Sequence, residues 1–94
     1  MKIEILNSPD GTPNAWMFYC VACKDHHSYT MNRGWSFNGD FEKPTFTPSL
    51  LVRWEFNGEQ PEKRCHLFVQ DGKIKYCGDC THSMAGQTID MVDI

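Results

Sequence analysis

"RCHLFVQDGKIKYC", residues 64–77, decides the fold. Polar and apolar side chains alternate on both sides of Asp71-Gly72, and a two-residue Asp-Gly turn is a favoured closure of a β-hairpin. Centring the turn there pairs Val69 with Ile74, Leu67 with Tyr76, His66 with Cys77 and Cys65 with Gly78. The side-chain period of two then puts Cys65, Leu67, Val69, Ile74 and Tyr76 on one face. His66, Phe68 and Cys77 fall on the other. The same register brings Cys65 and Cys80 to the end of the hairpin away from its turn.

Working outward, the rest of the chain also reads as short strands. "KIEIL" (2–6) alternates, and "SPDGTPN" (8–14) breaks pairing with two prolines and a glycine. "AWMFYCV" (15–21) is apolar and aromatic, as a buried strand is. With "HSYTM" (27–31) returning beside it, "CVACKDHH" (20–27) becomes the tip of a hairpin. Asn38-Gly39 and Asn57-Gly58 signal turns. Pro44 and Pro48 argue against a central, fully paired strand over 44–48, so that stretch is expected to be extended, irregular and at an edge. "SLLVRWEF" (49–56) is a strand. "THSMAG" (81–86) suits one helical turn ending at Gly86, and "QTIDMVDI" (87–94) a last strand. The expected fold is mostly β, a small single domain over 1–94 built of short antiparallel strands and hairpins.

Ninety-four residues leave room for one core. A hydrophobic content of 40% sets the chain apart from disordered compositions. Burial alone stabilises so small a domain only marginally, and a bound metal would help. The net charge of -3, with scattered basic residues, argues against a nucleic-acid partner. The N-terminus lacks the apolar core of a signal peptide. No stretch approaches the roughly 20 apolar residues of a membrane helix. The expected location is a reducing cytoplasm, where structural disulfides are rare. Five cysteines cannot all pair within one chain, which turns attention to metal ligation.

Two Cys-x-x-Cys pairs, Cys20/Cys23 and Cys77/Cys80, stand more than fifty residues apart. Such a turn points two sulfurs at one ion, and two of them can complete a tetrahedral zinc site. With His27, His66 and His82, the cysteines make more candidates than one Zn2+ needs. The plainer reading, small buried thiols, applies best to Cys65 on its apolar face. A redox pair at Cys20 and Cys23 is disfavoured, because "KDHHSYTM" is a poor helix start. His66, His82 and Asp79 are either groups that orient thiolates or a catalytic set in which Asp79 orients a histidine as general base. No nucleophile is identifiable. Trp35 and Phe37 alternate onto one face, either as core or as an aromatic patch for a partner.

"WSFNGDFEKPTFTPSLLV", "RCHLFVQDGKIKY" and "DCTHSMAGQTIDM" resemble a family of small proteins that recur in tailed-phage and prophage genomes. Matching positions run from Cys20 to about Met91. The resemblance carries ligand-type residues onto Cys20, Cys23, Cys65, His66, Asp79, Cys80 and His82, with His27 after the first pair. Position 77 is usually apolar in that pattern, so Cys77 is a departure and a site that depends on it is disfavoured. The preferred zinc ligands are therefore Cys20, Cys23, Cys65 and Cys80, with His82 or His66 as replacement or neighbour. Some members carry the label ammonia monooxygenase, which fits neither the size of this chain nor its lack of a membrane segment. The resemblance implies a phage accessory protein in the host cytoplasm. The expected function is a zinc-stabilised binding module for a host or phage protein. The alternatives are a small metal-dependent hydrolase using His66, His82 or Asp79, and a virion or assembly component.

Overall fold

The computed structural model describes residues 1–56 and 60–94, with side chains outside 54–62. The hairpin of 64–77 takes the register its sequence predicts. Strands β6 (Gln60–Gln70) and β7 (Lys73–Tyr76) pair Val69 with Ile74 and Leu67 with Tyr76. Asp71 and Gly72 both have positive φ, 49° and 73°, the signature of a type I′ turn. Glycine is needed at 72 for a second reason. A Cβ there would stand 3.1 Å from the Glu42 carbonyl oxygen and 3.2 Å from Lys43 Cα.

Strands β1 (Glu4–Asn7), β2 (Pro13–Cys20) and β3 (Asp25–Thr30) form a three-stranded antiparallel sheet in chain order. Strands β4 (Ser36–Phe37), β5 (Phe46–Phe56) and β8 (Thr88–Asp90) join β6 and β7 in a second sheet, ordered β4-β5-β6-β7-β8. The described residues contain no helix, and the fold is a small all-strand domain of two antiparallel sheets.

Two local expectations come out differently. The stretch around Pro48 is not at an edge. It belongs to β5, between β4 and β6, and the ladder shifts register between Phe46 and Leu50. Pro48 falls in that irregularity, where its missing N–H interrupts no regular pairing. Residues 81–86 form turns rather than a helical turn, with Ala85 N bonded to His82 O at 3.4 Å. Gly86 ends them at φ 80° and donates its N–H to Tyr76 O at 3.1 Å. The Asn57-Gly58 turn signal lies outside the described residues.

The core forms where the apolar faces of the two sheets meet. Phe18 and Tyr29 come from the first sheet, and Phe46, Leu67, Val69, Ile74 and Tyr76 from the second. The Tyr29 and Phe46 rings stack at 4.2 Å, and Phe37 lies on Phe46 at 4.8 Å. Trp35 and Phe37 pack against this cluster. Phe46 thus lies between rings of both sheets, and Phe46→Ala should cost about 3–5 kcal/mol in denaturant unfolding. Phe68, on the outer face and 38% exposed, should cost far less when truncated. Equal losses at the two positions would contradict this packing.

Candidate functional site

The two faces of β6 carry two different chemical centres. The inner one begins at the β2–β3 hairpin. Cys20 closes β2, and the turn returns the chain as β3 at Asp25, with Cys20 paired to Asp25. Lys24 takes φ 55° to make that turn. Cys23 N–H points at Cys20 Sγ at 3.4 Å, the bond that eases thiolate charge in a Cys-x-x-Cys turn. The inward-facing Cys65 of β6 meets this tip, with its sulfur 3.9 Å from that of Cys20.

Cys20, Cys23, His27 and Cys65 hold their ligand atoms within 4.8 Å of one another and can hold a metal ion. The chemistry of the set fits zinc, since three thiols and an imidazole are typical of closed structural sites. The spacing fits too. Two sulfurs at about 2.3 Å from a tetrahedral ion stand about 3.8 Å apart. A hydrogen bond from Cys65, with further ones from His27, Tyr76 and the Cys23 backbone, pulls the Cys20 thiol well below its usual range. Burial, then the charge on Cys20, pushes Cys23 up to about 11. Cys65 is raised as well, by its bond to Cys20 and by burial. Negative charge in this set is therefore favoured on Cys20 over Cys23 and Cys65, and a cation would offset the charge of further thiolates.

Cys80 and His82 join a neighbouring set that shares Cys65. His82 Nε2 lies 3.4 Å from Cys65 Sγ. The Cys80 thiol bridges the backbone of His66, donating to its carbonyl at 3.0 Å and accepting from its N–H at 3.2 Å. The structure thus brings Cys20, Cys23 and Cys65 together with His27, and sets Cys80 and His82 beside them.

The outer face holds the second centre. His66 Nδ1 faces the Asp79 carboxylate at 3.1 and 3.2 Å, and Nε2 faces Ser49 Oγ at 3.0 Å. An ionised carboxylate can only accept, so the proton between His66 and Asp79 belongs to Nδ1. Nε2 then carries the lone pair and accepts from the Ser49 hydroxyl. This is the connectivity of a Ser-His-Asp triad, recognised by geometry and roles rather than by chain position. Each member is fixed by its strand. Leu51 pairs with His66, so Ser49 shares the outer face two residues along β5. The Trp35 indole donates to Ser49 O at 3.2 Å. Asp79 follows β7, held by the Cys77 N–H to His66 O bond at 2.8 Å and by the Cys80 bridge. Arg64 adds a guanidinium 3.6 Å from Asp79 Oδ2.

A family model described as bacterial ubiquitination-like system serine protease (BubE) matches residues 2–77. The chain belongs to this family. In this BubE-family chain the matched span includes Ser49 and His66 and ends two residues before Asp79. No curated protein and no solved structure gives a significant match.

The residues alone single out His66 and Asp79 but not Ser49. Ser49 lies in Pro-Thr-Phe-Thr-Pro-Ser-Leu, with none of the glycine signals of a nucleophile elbow. One signal was available. A two-residue turn at Asn57-Gly58 would set residue 49 opposite residue 66. The observed register sets Leu51 there, which still leaves Ser49 on the face of His66.

Chelation should strip the metal from the inner centre of this BubE-family chain and lower its melting temperature. Binding free energies of zinc-finger peptides, about 10–16 kcal/mol, set the scale of the loss. Cys20→Ser should do the same without chelator. The chelator effect should shrink as pH falls, because protons then displace the metal from the thiolates. Metal analysis beside thermal melts at two pH values checks this; a chain that melts identically with and without chelator at alkaline pH would contradict it.

Proposed function

We propose that the protein is a serine protease of a bacterial ubiquitination-like system, with Ser49 as nucleophile. The observation that carries this reading is the in-line contact of Ser49, His66 and Asp79, contributed by β5, β6 and the loop after β7. The family's description independently names that chemistry. The bond cleaved is a peptide-type amide in a ubiquitin-like modifier or its conjugate.

In the first step His66 Nε2 takes the Ser49 proton as the hydroxyl oxygen attacks the carbonyl carbon. Asp79 holds the imidazole in the Nδ1–H tautomer and stabilises the imidazolium that forms. His66 then gives the proton to the leaving nitrogen, leaving an acyl group on Ser49. Water, activated by the same nitrogen, releases the acid and restores the serine. Asp79 and His66 thus keep the acid–base role their residue types suggest, without a metal in the reaction.

Cys20, Cys23, His27 and Cys65 hold a structural Zn2+ in this reading. The ion ties the β2–β3 tip to β6 and leaves the chemistry to the outer face. A hydrolase reading ranks above a binding module because three residues distant in sequence converge in catalytic order.

Ser49→Ala and His66→Ala should each lower kcat by about four to six orders of magnitude, and Asp79→Asn by about four. All three should keep the wild-type melting temperature within a few degrees and retain the metal. His82→Ala should leave kcat near wild type. Cleavage of a modifier–protein fusion, followed by gel and mass spectrometry, reads these outcomes. Full activity in Ser49→Ala would rule out the mechanism.

A further inference from the structure

Cys77 has no part in the triad, yet it stands beside it. It follows β7 on the outer face, and its N–H bond to His66 O at 2.8 Å holds it opposite that residue. His66, Cys77 and Asp79 bring one ligand atom each within 4.8 Å of one another, and none of the three is buried. We propose that these three residues form a second, exchangeable site for a soft divalent cation such as Zn2+, and that filling it switches the triad off. The inhibitory half rests on the serine-protease reading; the binding half does not.

The donor set is a thiol, an imidazole and a carboxylate, each a zinc ligand type. Three protein ligands leave one coordination position to water, so this site holds its ion less tightly than the four-residue set inside. Cys77 gives its thiol proton to solvent on binding, because the thiolate is the ligand. Arg64, 3.6 Å from Asp79 Oδ2, competes for one carboxylate oxygen and leaves Oδ1 for the ion.

Inhibition follows from the two nitrogens of one ring. Catalysis needs Nδ1 protonated toward Asp79 and Nε2 free to accept from Ser49. The nitrogen facing Asp79, Nδ1, is the one that reaches the ion. An ion there takes the Nδ1 lone pair and leaves the ring proton on Nε2. That nitrogen then cannot accept the serine proton. Metal binding and catalysis exclude each other at a single atom.

The test starts from protein already carrying zinc in its inner site. Zinc chloride is added stepwise while hydrolysis and calorimetric binding are followed for wild type, Cys77→Ala and Cys77→Ser. Each rate is taken relative to that protein's own rate before addition. A second equivalent should bind wild type and abolish its hydrolysis. Both variants should need at least about 10–100-fold more zinc for binding and inhibition, a loss seen even when a group merely supporting a ligand is removed. Equal inhibition in all three, a second equivalent that leaves the rate unchanged, or a rate that rises would overturn the proposal. If wild type hydrolyses nothing at all, the triad reading fails by itself. Calorimetry then still decides the binding half: weaker binding in both variants supports the site, and equal binding removes it.

Discussion

Successive side chains of a β-strand point to opposite faces, and at Cys65 and His66 that alternation sets two centres back to back on one strand. Cys65 faces inward to the thiols of the β2–β3 tip. His66 faces outward, between Ser49 and Asp79. A slip of β6 by one residue would exchange the two and lose both. The Asp71-Gly72 turn fixes that register from one side and the inward row of Leu67 and Val69 enforces it from the other. The metal set, the triad and the core therefore depend on a single pairing.

The two centres are also tied through the chain that follows β7. Cys80 bridges the backbone of His66, and Asp79, the residue before it, meets the His66 ring. His82, packed edge-on against Tyr76, reaches Cys65 on the inner face. A domain of this size has few core side chains with which to hold a loop, so directed polar contacts carry more of that burden. The Cys77 and Cys80 bonds to the His66 backbone hold Asp79 beside the His66 ring. These contacts keep Ser49, His66 and Asp79 in line.

Much of this was legible in the sequence, and for physical reasons. The hairpin of 64–77 declares its turn, its register and its buried face, because alternation and an Asp-Gly turn are local signals. The Cys-x-x-Cys at 20 and 23 likewise announces a hairpin tip with metal-binding character. The place of Ser49 was not legible, because what a serine faces depends on pairing across β5 and β6. The irregularity between Phe46 and Leu50, which lets β5 carry Pro48 inside the sheet, is a property of the assembled ladder too. The approach of His27 to Cys20 was not legible either, since it arises from the path of β3 after the Cys-x-x-Cys turn.

The central claim is that Ser49 is a nucleophile activated by His66. The most direct measurement is to treat the metal-loaded protein with a fluorophosphonate and locate the adduct by tandem mass spectrometry of its peptides. The reagent loses fluoride and leaves a phosphonyl group only on a serine whose proton is being taken. The account predicts one adduct, on Ser49, that disappears in His66→Ala. An adduct on another serine, or labelling of Ser49 that does not depend on His66, would contradict it.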